Sequence, residues 1–213
     1  MKTMRTILLL ILTLGSALAQ DASDIHCGNL VYGKNQTSVC WAETFLKDAT
    51  KETGINVSPK FIRIPLAKPE VFKTPFCVFT GEGDFKLSEA ERANLKRYLE
   101  NGGFILASPG CSDASWNRAF QREIAAALPD SSFASIPMNH DLFSTVHNIT
   151  EIGTYSKKVT LQGIQINGRL ALVYSPEGLN DAKNAPGCCC CGGSEIKQAR
   201  MVNVNALIYA LLH

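Results

Sequence analysis

Charge of one sign is the first thing this chain lacks. Its formal net charge is only +2 over 213 residues, so neither a nucleic acid nor an anionic membrane has a general electrostatic hold on it. Beyond residue 19 there is also no apolar run long enough to cross a bilayer as a helix, which argues against a membrane span. Internal repeats, linkers and low-complexity tracts are missing too, apart from one run of cysteines. What remains is the size of one ordinary domain, with 46% hydrophobic and 19% charged residues, the balance of a globular protein able to build a core without staples.

What is present begins with a leader. Lys2 and Arg5 give a positive start, Ile7 to Leu14 an apolar stretch, and Ala17-Leu18-Ala19 a small-residue cleavage pattern before Gln20. This predicts a signal peptide over 1–19 and a single mature domain over 20–213, exported to the periplasm or the extracellular space. No cysteine at the cleavage point would take a lipid. All eight cysteines fall in the mature part, and an oxidising compartment makes disulfides their default fate.

The chain is organised around Thr74 to Leu128. Pro75-Phe76-Cys77-Val78-Phe79 is a short, continuously apolar run of the kind buried on both faces of a sheet. It ends in a Gly81-Glu82-Gly83-Asp84 loop. Ser88-Glu89-Ala90-Glu91 is a capping box that opens a helix, with Gly102-Gly103 as its left-handed stop. A second strand, Phe104 to Ser108, runs into the turn Pro109-Gly110-Cys111-Ser112-Asp113. Trp116, Phe120, Ile124 and Leu128 then form one stripe of a helix ended by Pro129. This alternation predicts a parallel sheet with helices packed on it.

Around that unit, Ile25 to Tyr32 predicts a first strand. Thr37 or Ser38 predicts the cap of a helix with Cys40 and Trp41 in its first turn and Gly54 as its stop. Val57 to Leu66 predicts a second strand, and Phe133 to Pro137 a short one leading to His140. Val159 to Ile166 and Arg169 to Ser175 predict a hairpin joined at Asn167-Gly168. Ser194 to Leu212 predicts a closing helix, buried deeply from Ala206 onward.

Several strings in this order resemble the bacterial domain-of-unknown-function family 4159. They include Phe79-Thr80-Gly81-Glu82-Gly83, Leu87-Ser88-x-x-Glu91, Leu95-x-x-Tyr98-Leu99-x-x-Gly102-Gly103-Phe104 and Asn117-x-x-Phe120. The same holds for Ile136-Pro137-x-x-His140-x-x-Phe143, Gly168-Arg169-Leu170-Ala171 and Asn203-x-Asn205-Ala206-x-x-Tyr209. That family is similar to the class I glutamine amidotransferase-like fold of the trehalose-utilisation type. The resemblance implies an α/β three-layer sandwich with a mainly parallel, flavodoxin-like sheet, and no established reaction.

In such a sheet, ligands gather outside the carboxyl ends of the strands. Glu82, Asp84, Cys111, His140 and the run Cys188-Cys189-Cys190-Cys191 all follow predicted strands and are expected on one shared rim as ligand-binding groups. Cys111 occupies the turn where amidotransferase-like folds carry a nucleophile, with His140 as the available base, so a Cys111–His140 hydrolytic pair is one reading. The turn lacks the second glycine of Gly-x-Cys-x-Gly, and no His-x-Glu follows late in the chain.

Neighbouring cysteines bond to each other only through a strained ring. The run Cys188 to Cys191 is therefore expected to bond outward, to Cys27, Cys40, Cys77 or Cys111. The alternative is zinc held by the run with Cys111 and His140, but the paired Cys-x-x-Cys spacing is missing. Disulfides are favoured and no cofactor is expected. The reading that results is an exported, non-catalytic domain that binds a small polar ligand or another envelope protein, with a Cys111-dependent hydrolase and a metal-binding module as alternatives.

Overall fold

The computed structural model describes residues 24–34, 36–184 and 195–213. The expected leader and the cysteine run Cys188 to Cys191 lie outside these residues. Seven strands form one sheet in the order β2-β1-β3-β4-β7-β6-β5. They are β1 Gly28–Val31, β2 Ile62–Pro65, β3 Phe76–Phe79, β4 Phe104–Ala107, β5 Ala134–Ser135, β6 Gln162–Ile166 and β7 Arg169–Tyr174. β2, β1, β3, β4 and β7 run parallel, and the β6–β7 hairpin and the two-residue β5 make the antiparallel margin. Four helices accompany the sheet: α1 Thr44–Thr53, α2 Glu89–Glu100, α3 Ala114–Ala127 and α4 Ala199–Leu212.

The pleat sorts the core into two clusters, because successive side chains of a strand leave on opposite sides. Phe76, Val78, Phe104 and Leu106 join Phe45, Leu46 and the buried residues of α4. Cys77, Phe79, Ile105 and Ala107 join Leu95, Leu99, Trp116 and Phe120 from α2 and α3. So α1 and α4 share one cluster, and α2 and α3 the other. The central strands are buried along their whole length, which is why β3 and β4 read as unbroken apolar runs.

Local signals act as expected where the partners are close in sequence. The Ser88–Glu91 capping box is formed in both directions. Trp116, Phe120 and Ile124 are buried along α3, with Leu128 buried just past its end. At the hairpin tip Asn167 and Gly168 take φ of 54° and 77°, the left-handed pair that a two-residue turn requires.

Three expectations are corrected. α1 begins at Thr44, not at Thr37 or Ser38, so Cys40 and Trp41 stand in the preceding loop and Val39 is exposed. Long-range bonds hold that loop out of the helix: Asn29 Nδ2 donates to Ser38 O at 2.7 Å and the Ala42 amide donates to Asn180 O at 2.8 Å. β2 is only four residues long, and Val57 makes an isolated bridge to Ile25 instead of joining it. α4 starts at Ala199 and is buried only as far as Ala210, since Leu212 is 65% exposed.

Candidate functional site at the carboxyl edge of the sheet

The parallel strands end on one edge, where the connecting loops meet. From neighbouring strands β1 and β3 the chain departs toward opposite faces, to α1 in one cluster and to α2 in the other. Departures of this kind open a crevice over the strand ends. A buried polar network closes its floor. Trp116 Nε1 donates to Tyr32 Oη at 2.6 Å, and that hydroxyl donates to Thr80 O at 3.0 Å. Asn180 Nδ2 donates to Thr80 Oγ1 at 3.0 Å. Ser108 Oγ accepts the Leu179 amide at 3.1 Å and donates to Glu177 O at 3.0 Å. Asn203 of α4 reaches Leu179 O at 3.0 Å. Thr80, Ser108, Ser175, Asn180 and Asn203 are all buried, so these bonds are made where water does not compete for them.

Two glycines make this edge possible. A Cβ on Gly81 would lie 2.1 Å from Tyr32 Oη and 3.0 Å from Trp116 Nε1. One on Gly110 would meet Glu82 Cγ and Oε1, each at 2.9 Å. Gly110 N donates to Gly81 O at 2.7 Å, so the loops after β3 and β4 are bound backbone to backbone.

The turn after β4 presents Cys111, with Cys111 and Ser112 both in the left-handed region at φ of 50° and 52°. Non-glycine residues adopt that region only where surroundings enforce it, and two in succession mark a strained turn. Asp113 ends it by capping α3, its Oδ1 accepting the Trp116 amide at 2.7 Å. Burial acts to raise this carboxyl's pKa, but hydrogen bonds from Ser115 and from the Trp116 amide hold it below the ordinary value.

The expected rim is brought together in part. Cys111 Sγ lies 3.7 Å from Glu82 Oε1, so these two groups share a site. Asp84 is turned toward α3, where Arg122 Nη1 meets its Oδ1 at 3.1 Å. His140 is elsewhere. Its ring packs at 5.6 Å from Tyr209, and Tyr209 packs at 6.0 Å on Phe104, the first residue of β4. Cys111 follows the last residue of that strand, which itself spans roughly 10 Å. His140 Nδ1 accepts the Leu142 amide at 3.1 Å and so caps a short 3-10 turn. Burial keeps its imidazole below the usual pKa. The expected Cys111–His140 pair is not formed, because Ile136-Pro137 carries the chain back across α4 after β5.

The cysteines divide as well. Cys27 and Cys77 are buried free thiols. They cannot join each other: Gly28 is the register partner of Cys77, so Cys27, one residue earlier, faces the other side of the sheet. Burial pushes the Cys77 thiol up to about 12, and the Cys27 thiol higher still. Cys40 and Cys111 both stand near the carboxyl edge, in the loop before α1 and in the turn after β4. Among the described residues no cluster of three or more His, Cys, Asp or Glu side chains is arranged to hold a metal ion.

The sequence matches the family model described as Domain of unknown function (DUF4159) over residues 28–211. The chain belongs to this family. No curated protein matches it. In this DUF4159 member, the residues that reading by motif passed over are those of the crevice floor, Tyr32, Thr80, Ser108 and Asn180, and three lysines, Lys34, Lys68 and Lys86, that line a neighbouring cleft over the ends of β1 and β2. Trp116, part of the α3 stripe, is core and also donates to Tyr32. The available signal was positional: each lysine stands a few residues past the end of a strand.

Proposed function

We propose that this domain binds a small ligand or a protein partner at the carboxyl edge of its sheet and performs no hydrolysis there. The observation that carries the reading is the position of His140, whose ring packs on Tyr209, which in turn packs on Phe104 at the start of β4. His140 is thus set apart from Cys111 as a base, and in this reading the Cys111 sulfur is committed to a disulfide, which offers no thiolate for attack or for metal ligation. The helix pairs in two core clusters and the strand order support a three-layer, flavodoxin-like arrangement of the amidotransferase-like kind. That arrangement retains the crevice of such folds without the nucleophile.

In this reading the domain is exported by the leader over residues 1–19 and works in the periplasm or outside the cell, which suits disulfides. With Cys27 and Cys77 as thiols, six cysteines remain for bridging: Cys40, Cys111 and Cys188 to Cys191. We infer that Cys40 and Cys111 are bridged to the run, each closing a long loop and stiffening the crevice wall. Peptide mapping of the unreduced protein tests this. The reading expects linked peptides joining Cys40 and Cys111 to the run, and two thiols, Cys27 and Cys77, that alkylate only after unfolding. A Cys111 recovered as a free, readily alkylated thiol, together with amide or ester hydrolysis lost in Cys111→Ala, would overturn it. Stoichiometric zinc bound to reduced thiols would favour the metal-binding alternative.

A further inference from the structure

Resting on the ligand-binding reading above, we infer that a cleft on the α2 side of this edge takes a small organic phosphate, held by Lys34, Lys68 and Lys86. A cleft of about 710 Å³ opens over the carboxyl ends of β1 and β2 beside the start of α2, a size typical of small-molecule sites. Three loops each send one lysine into its lining: Lys34 after β1, Lys68 after β2 and Lys86 after β3. The first and third loops lie against each other: a Cβ added at Gly33 would come 3.4 Å from Lys86 O, and Gln36 Nε2 donates to Asp84 O at 3.4 Å. Distant parts of the sequence thus deliver three cationic side chains to the lining of one cleft.

Their charge is not already spent. Among the described residues the ion pairs involve other cations, and none includes these three lysines. The one carboxylate in the lining, Glu91, is engaged with its own helix cap, its Oε2 accepting the Ser88 amide at 2.7 Å and the Ser88 hydroxyl at 2.9 Å. The amide that precedes them, of Leu87, donates to Glu123 Oε2 at 3.1 Å. The start of α2 is therefore occupied by protein groups, and recognition of an anion falls to the ammonium groups. Three mobile point charges suit a dianionic phosphate better than a single carboxylate. The wall formed by Val31, Pro65 and Leu87 is apolar, which suits an organic body attached to that phosphate.

Titration of the full chain with phenyl phosphate, benzoate and phenol, followed by calorimetry, tests the inference. Saturable binding of phenyl phosphate is expected, weakened by added salt and at least tenfold tighter than that of benzoate or phenol. The variant K34Q/K68Q/K86Q should lose it by at least tenfold while melting like the parent, because all three side chains are exposed. The variant K34R/K68R/K86R should retain it. No saturable binding, equal binding by the glutamine variant, or equal binding of phenol would overturn the phosphate assignment alone. Hydrolysis dependent on Cys111 is the separate result that would overturn the reading beneath it.

Discussion

The two edges of the sheet are built differently. At the amino edge, side chains bond to backbone carbonyls and turns are tight. Tyr98 Oη lies 2.9 Å from Thr74 O and 3.2 Å from Phe104 O, Arg169 Nη2 donates to Gly103 O at 2.9 Å, and glycines at positions 102 and 168 supply the left-handed turns. At the carboxyl edge, residues as far apart as Thr80 and Asn180 are bonded side chain to side chain, and Cys111, Ser112 and Asp181 hold the left-handed region without being glycine. The difference teaches where a site belongs. An edge closed by glycine turns and by side-chain bonds to backbone carbonyls is a mechanical end of the fold, whereas an edge bonded side chain to side chain, strained and polar, is where specificity is constructed.

The sharpest way to break this contrast is reduction. If Cys40 and Cys111 are bridged as proposed, reducing those bridges should lower stability by about 2–4 kcal/mol for each long loop released, read as a shift in the denaturant midpoint. An unchanged midpoint would mean the carboxyl edge needs no cross-link. Next comes a pair of glycine substitutions. Gly81→Ala should cost about 3 kcal/mol, because its methyl group collides with the Tyr32–Trp116 hydrogen bond and a buried polar pair is broken. Gly168→Ala, with no atom within 4 Å of the new methyl group, should cost only about 1 kcal/mol for its positive φ. Equal losses would erase the distinction between the two edges.

Glu123→Gln should cost about 2 kcal/mol. This buried carboxylate of α3 binds Arg92 at 2.6 Å and the Leu87 amide at 3.1 Å, fixing the loop that carries Lys86. Burial acts to raise its pKa, yet the bonds from Arg92, Arg122 and the Leu87 amide keep it below 4.5. A carboxyl lower in the folded than in the unfolded chain stabilises above the unfolded value. That contribution is lost as pH falls from 4.5 through the depressed value, and the glutamine variant should show a flatter loss of stability there.

The smallest effect belongs to His140. Its folded imidazole sits below 6.5 because of burial, with Asp141 opposing and His213 reinforcing the shift. Its contribution is therefore complete above pH 6.5 and declines as pH falls toward the folded value. An NMR titration finding His140 at or above the ordinary value would contradict its packing on Tyr209.

Legibility in the sequence follows the same division. The α2 cap, the α3 stripe and the Asn167-Gly168 turn were readable because each joins residues a few positions apart. The start of α1 was misread because Val39, Ala42, Phe45 and Leu46 keep helical spacing, while the groups that hold the loop open, Asn29 and Asn180, are distant. His140 was misplaced for a related reason. β5 is two residues long, and strand length alone did not reveal that the chain turns back over α4 directly after it. Glu82 and Cys111 meet because both leave adjacent parallel strands. The lysines of the cleft were invisible to motif reading because no two come from the same loop.

The position of Gly28 bears on how the protein must mature. Its missing side chain leaves room for the Cys77 sulfur, since a Cβ there would come within 2.6 Å of it. In the exported reading proposed above, two reduced sulfurs persist inside a chain whose other cysteines meet an oxidant, and the finished pleat keeps these two apart. Before β1 and β3 pair, nothing distinguishes these thiols from the rest. On that reading collapse of the central strands has to outrun oxidation, and an oxidant supplied too early would trap scrambled chains that the mature protein, once assembled, can never become.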